Sequence, residues 1–136
     1  MAQLGPALYT SHRCAATVSA YRIVGNDTAA SGGILRCVQP PTITTFVFGV
    51  AQQSGTTDQS VQIISFGNAK GESGQSLTAG ALLTYVTATG YLIEAVAFDT
   101  TATARPRTVG LSLQTGAATG AVLEILVSLA NTRANF

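Results

Sequence analysis

The chain has 136 residues, the length of one domain, which is enough to bury roughly two thirds of the surface that the unfolded chain exposes. Charged residues make up only 10% of it, against about 25% in an ordinary soluble domain. The net charge is +1 and the basic residues are scattered, which argues against a nucleic-acid-binding surface. A surface so poor in charge predicts extensive contact with other protein.

The sequence does not predict a membrane span or a secretion signal. The longest apolar runs have about ten residues and contain a glutamate, whereas a membrane-spanning helix needs ~20 apolar residues. His12 and Arg13 lie where a signal peptide has its apolar core. We therefore expect assembly in a cytoplasm, with Cys14 and Cys37 as reduced, buried thiols.

Eight short runs rich in apolar and β-branched residues follow one another, separated by clusters of Gly, Asn, Asp, Ser and Pro. This pattern predicts an all-β fold, a single-domain, jelly-roll-like sandwich or barrel of about eight strands. Residues 1–15 and 131–136 are candidate extended arms. The predicted strands are CAATVSAYRIV (14–24), GILRCVQ (33–39), TTFVFGVAQ (44–52), SVQIISFG (60–67), ALLTYVT (81–87), YLIEAVA (91–97), RTVGLSLQ (107–114) and AVLEILVS (121–128).

The second half of the chain echoes the first. Residues 49–64 align with residues 110–125, and a looser match links residues 31–35 with 78–83. We expect two related β units joined by a flexible loop at residues 67–80. The identical pairs are Gly49 with Gly110, Gln53 with Gln114, Gly55 with Gly116, Val61 with Val122 and Ile64 with Ile125.

The glycine-bracketed stretch TGAATG (115–120) has two interpretations. A phosphate-binding loop would begin a helix and, in its Walker form, carry a lysine. Here a strand-like run follows and no lysine is near, which favours the turn of a β-hairpin. Gly116 and Gly120 are then expected to supply positive φ angles.

Catalytic and metal-binding patterns are weak. His12 is the only histidine, and Asp27, Asp58 and Asp99 lie in predicted turns, where aspartate bonds the local backbone. Neither a zinc ligand cluster nor a carboxylate-dense calcium loop is present in the sequence. We expect a protein that is not an enzyme and that binds no metal or cofactor.

Four charged residues offer alternatives. Glu94 and Glu124 interrupt apolar strands and either face water or pair with an arginine across an interface. Arg105 and Arg107 form the only close basic pair, either in a solvated loop or against a carboxylate of a neighbouring subunit.

Residues 67–128 carry a series of short motifs, which are Leu77–Gly80, Leu82–Val86, Gly90, Val109–Leu113, Gly116–Gly120 and Val122–Val127. Their order resembles that in the capsid cement, or decoration, proteins of tailed bacteriophages. Gln114 and Thr115 depart from it, because that family often has an alanine pair there.

The resemblance implies a structural protein on the outer surface of a phage head, where it clamps neighbouring major capsid protein subunits and forms a homodimer or homotrimer. No nucleic acid or membrane is expected as a partner. A phage tail, fibre or knob domain is the first alternative, and a small β-barrel enzyme or ligand-binding module is the second. The candidate capsid or self-contact residues are Tyr9, Arg13, Arg105, Arg107, Arg133 and Phe136.

Overall fold

A computed structural model describes residues 7–26, 36–38, 47–86, 89–95, 108–116 and 118–129. The described residues contain nine strands and no helix, so the all-β prediction is confirmed. The strands are β1 (Ala7–Arg13), β2 (Ile23–Asn26), β3 (Cys37–Val38), β4 (Val47–Ala51), β5 (Ser60–Glu72), β6 (Leu82–Tyr85), β7 (Leu92–Glu94), β8 (Gly110–Ser112) and β9 (Val122–Ser128).

All nine strands belong to one antiparallel sheet that curls into a half-barrel. The order along the sheet is β3-β2-β4-β5-β9-β8-β6-β7, and β1 pairs with β5 beside this path. The order β3-β2-β4-β5 is therefore repeated as β7-β6-β8-β9, which indicates an internal duplication.

Strand β5 is the main departure from the sequence prediction. Residues 67–72, predicted as part of a flexible join, continue β5 to a length of 13 residues. Gly71 has a packing reason to be glycine, because a Cβ there would overlap Leu92 Cδ1 and lie 2.9 Å from Ile125 Cδ1. The glycine therefore lets the strand approach the core closely, and the expectation of a loop at this point is wrong.

The two halves of the chain are structural repeats that share β5. In the first repeat β1, β2, β3 and β4 are followed by residues 60–66 of β5. In the second repeat residues 66–72 of β5, β6, β7 and β8 are followed by β9. In the first repeat the last strand, residues 60–66, pairs with the first strand, β1. In the second repeat the last strand, β9, pairs in the same way with the first strand, residues 66–72. Strand β5 is therefore the last strand of the first repeat and the first strand of the second.

Isolated bridges match in the two repeats. Val18 and Gly55 form an antiparallel bridge in the first repeat, and Leu77 and Gly116 form its counterpart in the second. Residues 19–24 therefore correspond to residues 78–83, and the looser match of residues 31–35 to this segment is wrong.

The main echo is confirmed up to Gly116 and then shifts by one position. Asp58 and Gly120 both have positive φ, 68° and 86°, and both donate a backbone hydrogen bond across the repeat, to Cys14 and Ser73 respectively. The second turn is one residue longer, because Gly116 and Gly120 are four positions apart whereas Gly55 and Asp58 are three apart. The equivalents of Val61 and Ile64 are consequently Leu123 and Leu126.

Two buried clusters stabilise the sheet. The smaller lies wholly in the first repeat and contains Cys14, Val18, Val24, Cys37, Ala51, Val61 and Ile63. The larger contains the core of the second repeat together with Ile23, Val47, Val50 and Ile64 of the first. The apolar contact between the repeats is thus part of the core.

Candidate interaction surface

His12 occupies a packed position on β1. Its ring stacks on Phe48 with centroids 4.4 Å apart and planes inclined by 10°. Partial burial lowers the pKa of His12 below its ordinary value of 6.5, which favours the neutral ring. The described residues hold no group of three or more His, Cys, Asp or Glu side chains arranged to bind a metal ion.

Cys14 and Cys37 are free thiols in the core of the first repeat. Their Sγ atoms are 3.9 Å apart. Burial raises the pKa of Cys14, and burial together with its neighbour raises the pKa of Cys37 to about 12. Thiols with such pKa values are poor nucleophiles at neutral pH, so this pair serves packing.

The hairpin interpretation of residues 110–128 is confirmed, because β8 and β9 pair in antiparallel register. Gly120 has the expected positive φ of 86°. Gly116 does not have a positive φ; instead, a Cβ on it would lie 2.6 Å from Leu123 Cδ1. Gly116 is therefore needed for close packing, and the expectation of a positive φ there is wrong.

The isolated acidic residues serve local structure. Glu94 Oε1 accepts a hydrogen bond of 2.8 Å from the backbone N–H of Thr78. Glu124 lies directly across from Lys70 in the β5–β9 register. Asp58 lies in a turn, as predicted, and its carboxylate is 3.5 Å from Arg36.

Two of the predicted contact residues come together on β1. Tyr9, Ser11 and Arg13 are alternate residues of β1 and lie on the same exposed face. Leu8 lies directly across from Phe66, and the two side chains are 59% and 60% exposed. Consecutive strand residues face opposite sides, so Leu8 and Tyr9 flank the edge of β1 on its two faces. We define the β1 edge surface as Leu8 and Phe66 on one side of this strand and Tyr9 and Arg13 on the other.

This surface combines exposed apolar and aromatic side chains with a cation, a combination typical of protein interfaces. Sequence reasoning missed Leu8 and Phe66, since their pairing depends on the register of two distant strands. The other predicted contact residues, Arg105, Arg107, Arg133 and Phe136, lie outside the described residues, as do Asp27 and Asp99.

A polar contact centred on Arg22 joins the repeats. Its guanidinium lies 3.4 Å from Glu72 Oε2 and donates a 2.7 Å hydrogen bond to the Tyr91 hydroxyl. The Arg22 guanidinium also lies 4.0 Å from the centre of the Tyr91 ring.

The backbone adds two further bonds between the repeats. The N–H of Glu72 donates to Tyr21 O over 2.7 Å, and the N–H of Ile23 donates to Gly90 O over 2.9 Å. The Gln52 side-chain amide donates to Lys70 O and accepts from Lys70 N–H. These bonds fix how the second repeat sits on the first.

The comparisons with known proteins agree with an all-β fold. No family model and no curated protein matches the sequence, and no helix among the described residues is long and apolar enough to cross a membrane. The structure is similar to a crystal structure of the head fiber gp8.5 N base of bacteriophage phi29, with a TM-score of 0.62 and 15% identity. The match covers 89% of this chain and 93% of that chain, so the two share a fold over nearly their whole length.

Proposed function

We propose that this chain is a structural, non-enzymatic protein of a phage head that binds the outer surface of the capsid. The observation that carries the proposal is the shared fold with a head-fibre base over 89% of the chain. The scarcity of charge and the exposed β1 edge surface support it, because both suit a chain that is covered by other protein.

Within this class, the chain acts as a cement protein that clamps neighbouring major capsid protein subunits and associates with further copies of itself. Many copies on one symmetric shell gain avidity, so a weak contact at each β1 edge surface suffices for stable attachment. Neither nucleic acid nor membrane is a proposed partner.

The base of a head fibre is the second candidate, and the named structural neighbour favours it. Both roles require attachment to the head, but they differ in copy number and in what projects from the surface. A cement protein covers the shell with many copies, whereas a fibre base occupies fewer sites, each carrying a projection.

The test uses heads of the encoding phage that lack this protein. Purified chain is added, the heads are sedimented, and bound copies are counted and located by cryo-electron microscopy. Regular density between capsid subunits is expected for a cement protein, and sparse projecting density identifies a fibre base. Heads that bind none of the chain contradict both roles.

A pair of variants connects binding to the β1 edge surface. Leu8→Gln with Phe66→Gln removes its exposed apolar pair and should reduce the number of bound copies. Val122→Gln changes a similarly exposed apolar residue elsewhere, 46% exposed, and should bind as the parent does. Equal binding by the double variant and the parent would exclude this surface as the attachment site.

A further inference from the structure

The duplication allows each surface of one repeat to be compared with its counterpart in the other. In the first repeat, Ile23, Val50 and Ile64 lie directly across from one another on β2, β4 and β5. All three are at most 1% exposed, because they share the larger buried cluster with the second repeat. This apolar row is the surface on which the second repeat sits.

The second repeat carries the same row with nothing described on it. Leu82, Leu111 and Leu126 lie directly across from one another on β6, β8 and β9. Leu82 is 55% exposed, where its equivalent Ile23 is fully buried. Leu111 and Leu126 are partly exposed as well. We call these three residues the leucine row.

A residue next to this row is polar in the first repeat and apolar in the second. Gln52 contacts the backbone of Lys70 between the repeats, and its equivalent is Leu113, which is 43% exposed. A leucine in place of a glutamine is unfavourable on a surface that stays in water, because it exposes apolar area. The change is expected where the surface is covered.

The surface that would complete this contact lies on the first repeat. In the second repeat, Lys70 contacts Gln52 and Glu72 contacts Arg22. The residues equivalent to Lys70 and Glu72 are Ser11 and Arg13 of β1. Within the described chain β1 pairs with β5 alone, so its other edge has no strand partner. Each copy therefore carries two surfaces that match the two sides of the contact between repeats. One is the leucine row of the second repeat, and the other is the edge of β1 in the first repeat.

We infer that the leucine row and Leu113 of one copy bind the β1 edge at Ser11 and Arg13 of a second copy, repeating between copies the contact that joins the two repeats within one chain. This inference rests on the proposed function only for its setting, a shell that bears many copies. Attachment to that shell then uses Leu8 and Phe66, because Arg13 contacts the second copy. Because the two contacting surfaces differ, the association is head-to-tail and forms a ring or an open chain. It excludes a dimer built on one self-complementary patch.

The charges of the two contacts differ in a way that gives a specific test. Within the chain Arg22 pairs with Glu72, whereas between copies the equivalent residues are Ala81 and Arg13. Ala81→Arg alone brings a second cation to Arg13 and should weaken association by roughly two- to fivefold. Adding Arg13→Glu recreates the intramolecular pair and should restore or exceed the parent's affinity.

The experiment measures the mass of the full chain by light scattering and sedimentation over a range of concentrations, without phage heads. The parent should self-associate, and Leu82→Gln with Leu113→Gln should weaken association at least about tenfold by removing apolar contact. Val122→Gln is the matched control, since its equivalent Ser60 remains exposed beside the contact between the repeats. Circular dichroism verifies that each variant is folded.

A mixing experiment tests the head-to-tail geometry. Ser11→Pro changes only the β1 half, at a strand edge where proline is tolerated, and the leucine double variant changes only the other half. At a concentration at which each variant alone is monomeric, their mixture should form a heterodimer through the two intact surfaces. A parent that is monomeric throughout, leucine variants that associate as the parent does, or a mixture that does not combine overturns the inference. Failure of head binding in the previous experiment leaves these results unaffected and counts against the proposed function alone.

Discussion

Tyr21 and Gly80 occupy equivalent positions in the two repeats, and both have left-handed backbone conformations, with φ of 66° and 87°. The N–H of each donates to the end of the neighbouring strand, at Ala51 O over 2.6 Å and at Ser112 O over 2.7 Å. The duplication thus preserved a backbone conformation while the residue that adopts it changed. Tyr21 keeps the conformation at a cost of about 1–2 kcal/mol that glycine avoids.

Alanine substitutions should separate two reasons for glycine. Gly80→Ala should destabilise the fold by only about 1 kcal/mol, because a Cβ there meets no atom within 4 Å and the cost is conformational. Gly110→Ala should cost about 3 kcal/mol or more, since its Cβ would overlap the backbone oxygen of Leu126. Urea unfolding of the two variants checks the order, and equal losses would contradict this explanation.

Arg22 should stabilise the contact between the repeats. Arg22→Ala removes its contacts with Glu72 and Tyr91 and should lower the free energy of unfolding by about 1–3 kcal/mol. In a double-mutant cycle with Tyr91→Phe, the two losses should be non-additive, because both variants break the same hydrogen bond. Strict additivity would mean that the Arg22–Tyr91 contact contributes nothing to stability.

The thiol of Cys37 predicts a pH dependence. Burial raises its pKa in the folded state to about 12 from an ordinary value of 9.0, so the unfolded chain loses this proton first. Its contribution is fully present below about pH 9 and is lost as the pH rises toward 12, by up to about 1.4 kcal/mol per pH unit. Cys37→Val should lessen this decline, and an apolar side chain is suited to the site because the equivalent residue in the second repeat is Leu92. Identical pH profiles for variant and parent would disprove the assignment to Cys37.

Two glutamine side chains should stabilise equivalent turns by accepting backbone hydrogen bonds. Gln53 Oε1 accepts from Gln62 N–H at 3.3 Å, and Gln114 Oε1 accepts from Glu124 N–H at 2.9 Å. Each alanine variant should lose about 0.5–1.5 kcal/mol, with the larger loss at the shorter bond of Gln114. Gln75→Ala, at an exposed position, is the control and should stay within ~0.5 kcal/mol. Thermal unfolding of the three variants gives the comparison.

The sequence predicted strands best where apolar residues were dense. β9 was found within one residue of its bounds, because Val122–Ser128 is nearly all apolar. β1 was missed, since ALYTSHR shows little apolar character and one of its faces is exposed. The second half of β5 was taken for a loop because Gly67, Asn68 and Gly71 are common in turns, whereas Gly71 makes room for Leu92.

The interaction surfaces were less predictable than the fold. Tyr9 and Arg13 were identified from their place near the end of the chain, and the structure places them on one exposed face. The leucine row joins Leu82, Leu111 and Leu126, which are distant in sequence and meet only through the strand order. The echo between the halves aligned Leu111 with Val50, but the extra residue in the second turn made it match Ile64 with Ile125 in place of Leu126.

A strand that serves both repeats also determines how the protein comes apart. Because β5 runs unbroken from Ser60 to Glu72, no linker separates the halves for a protease to cut. Loss of either half would expose the apolar contact in which Ile23, Val50 and Ile64 join the core of the second repeat, so neither half is expected to survive alone. Calorimetry should accordingly record one melting transition for the whole duplicated molecule.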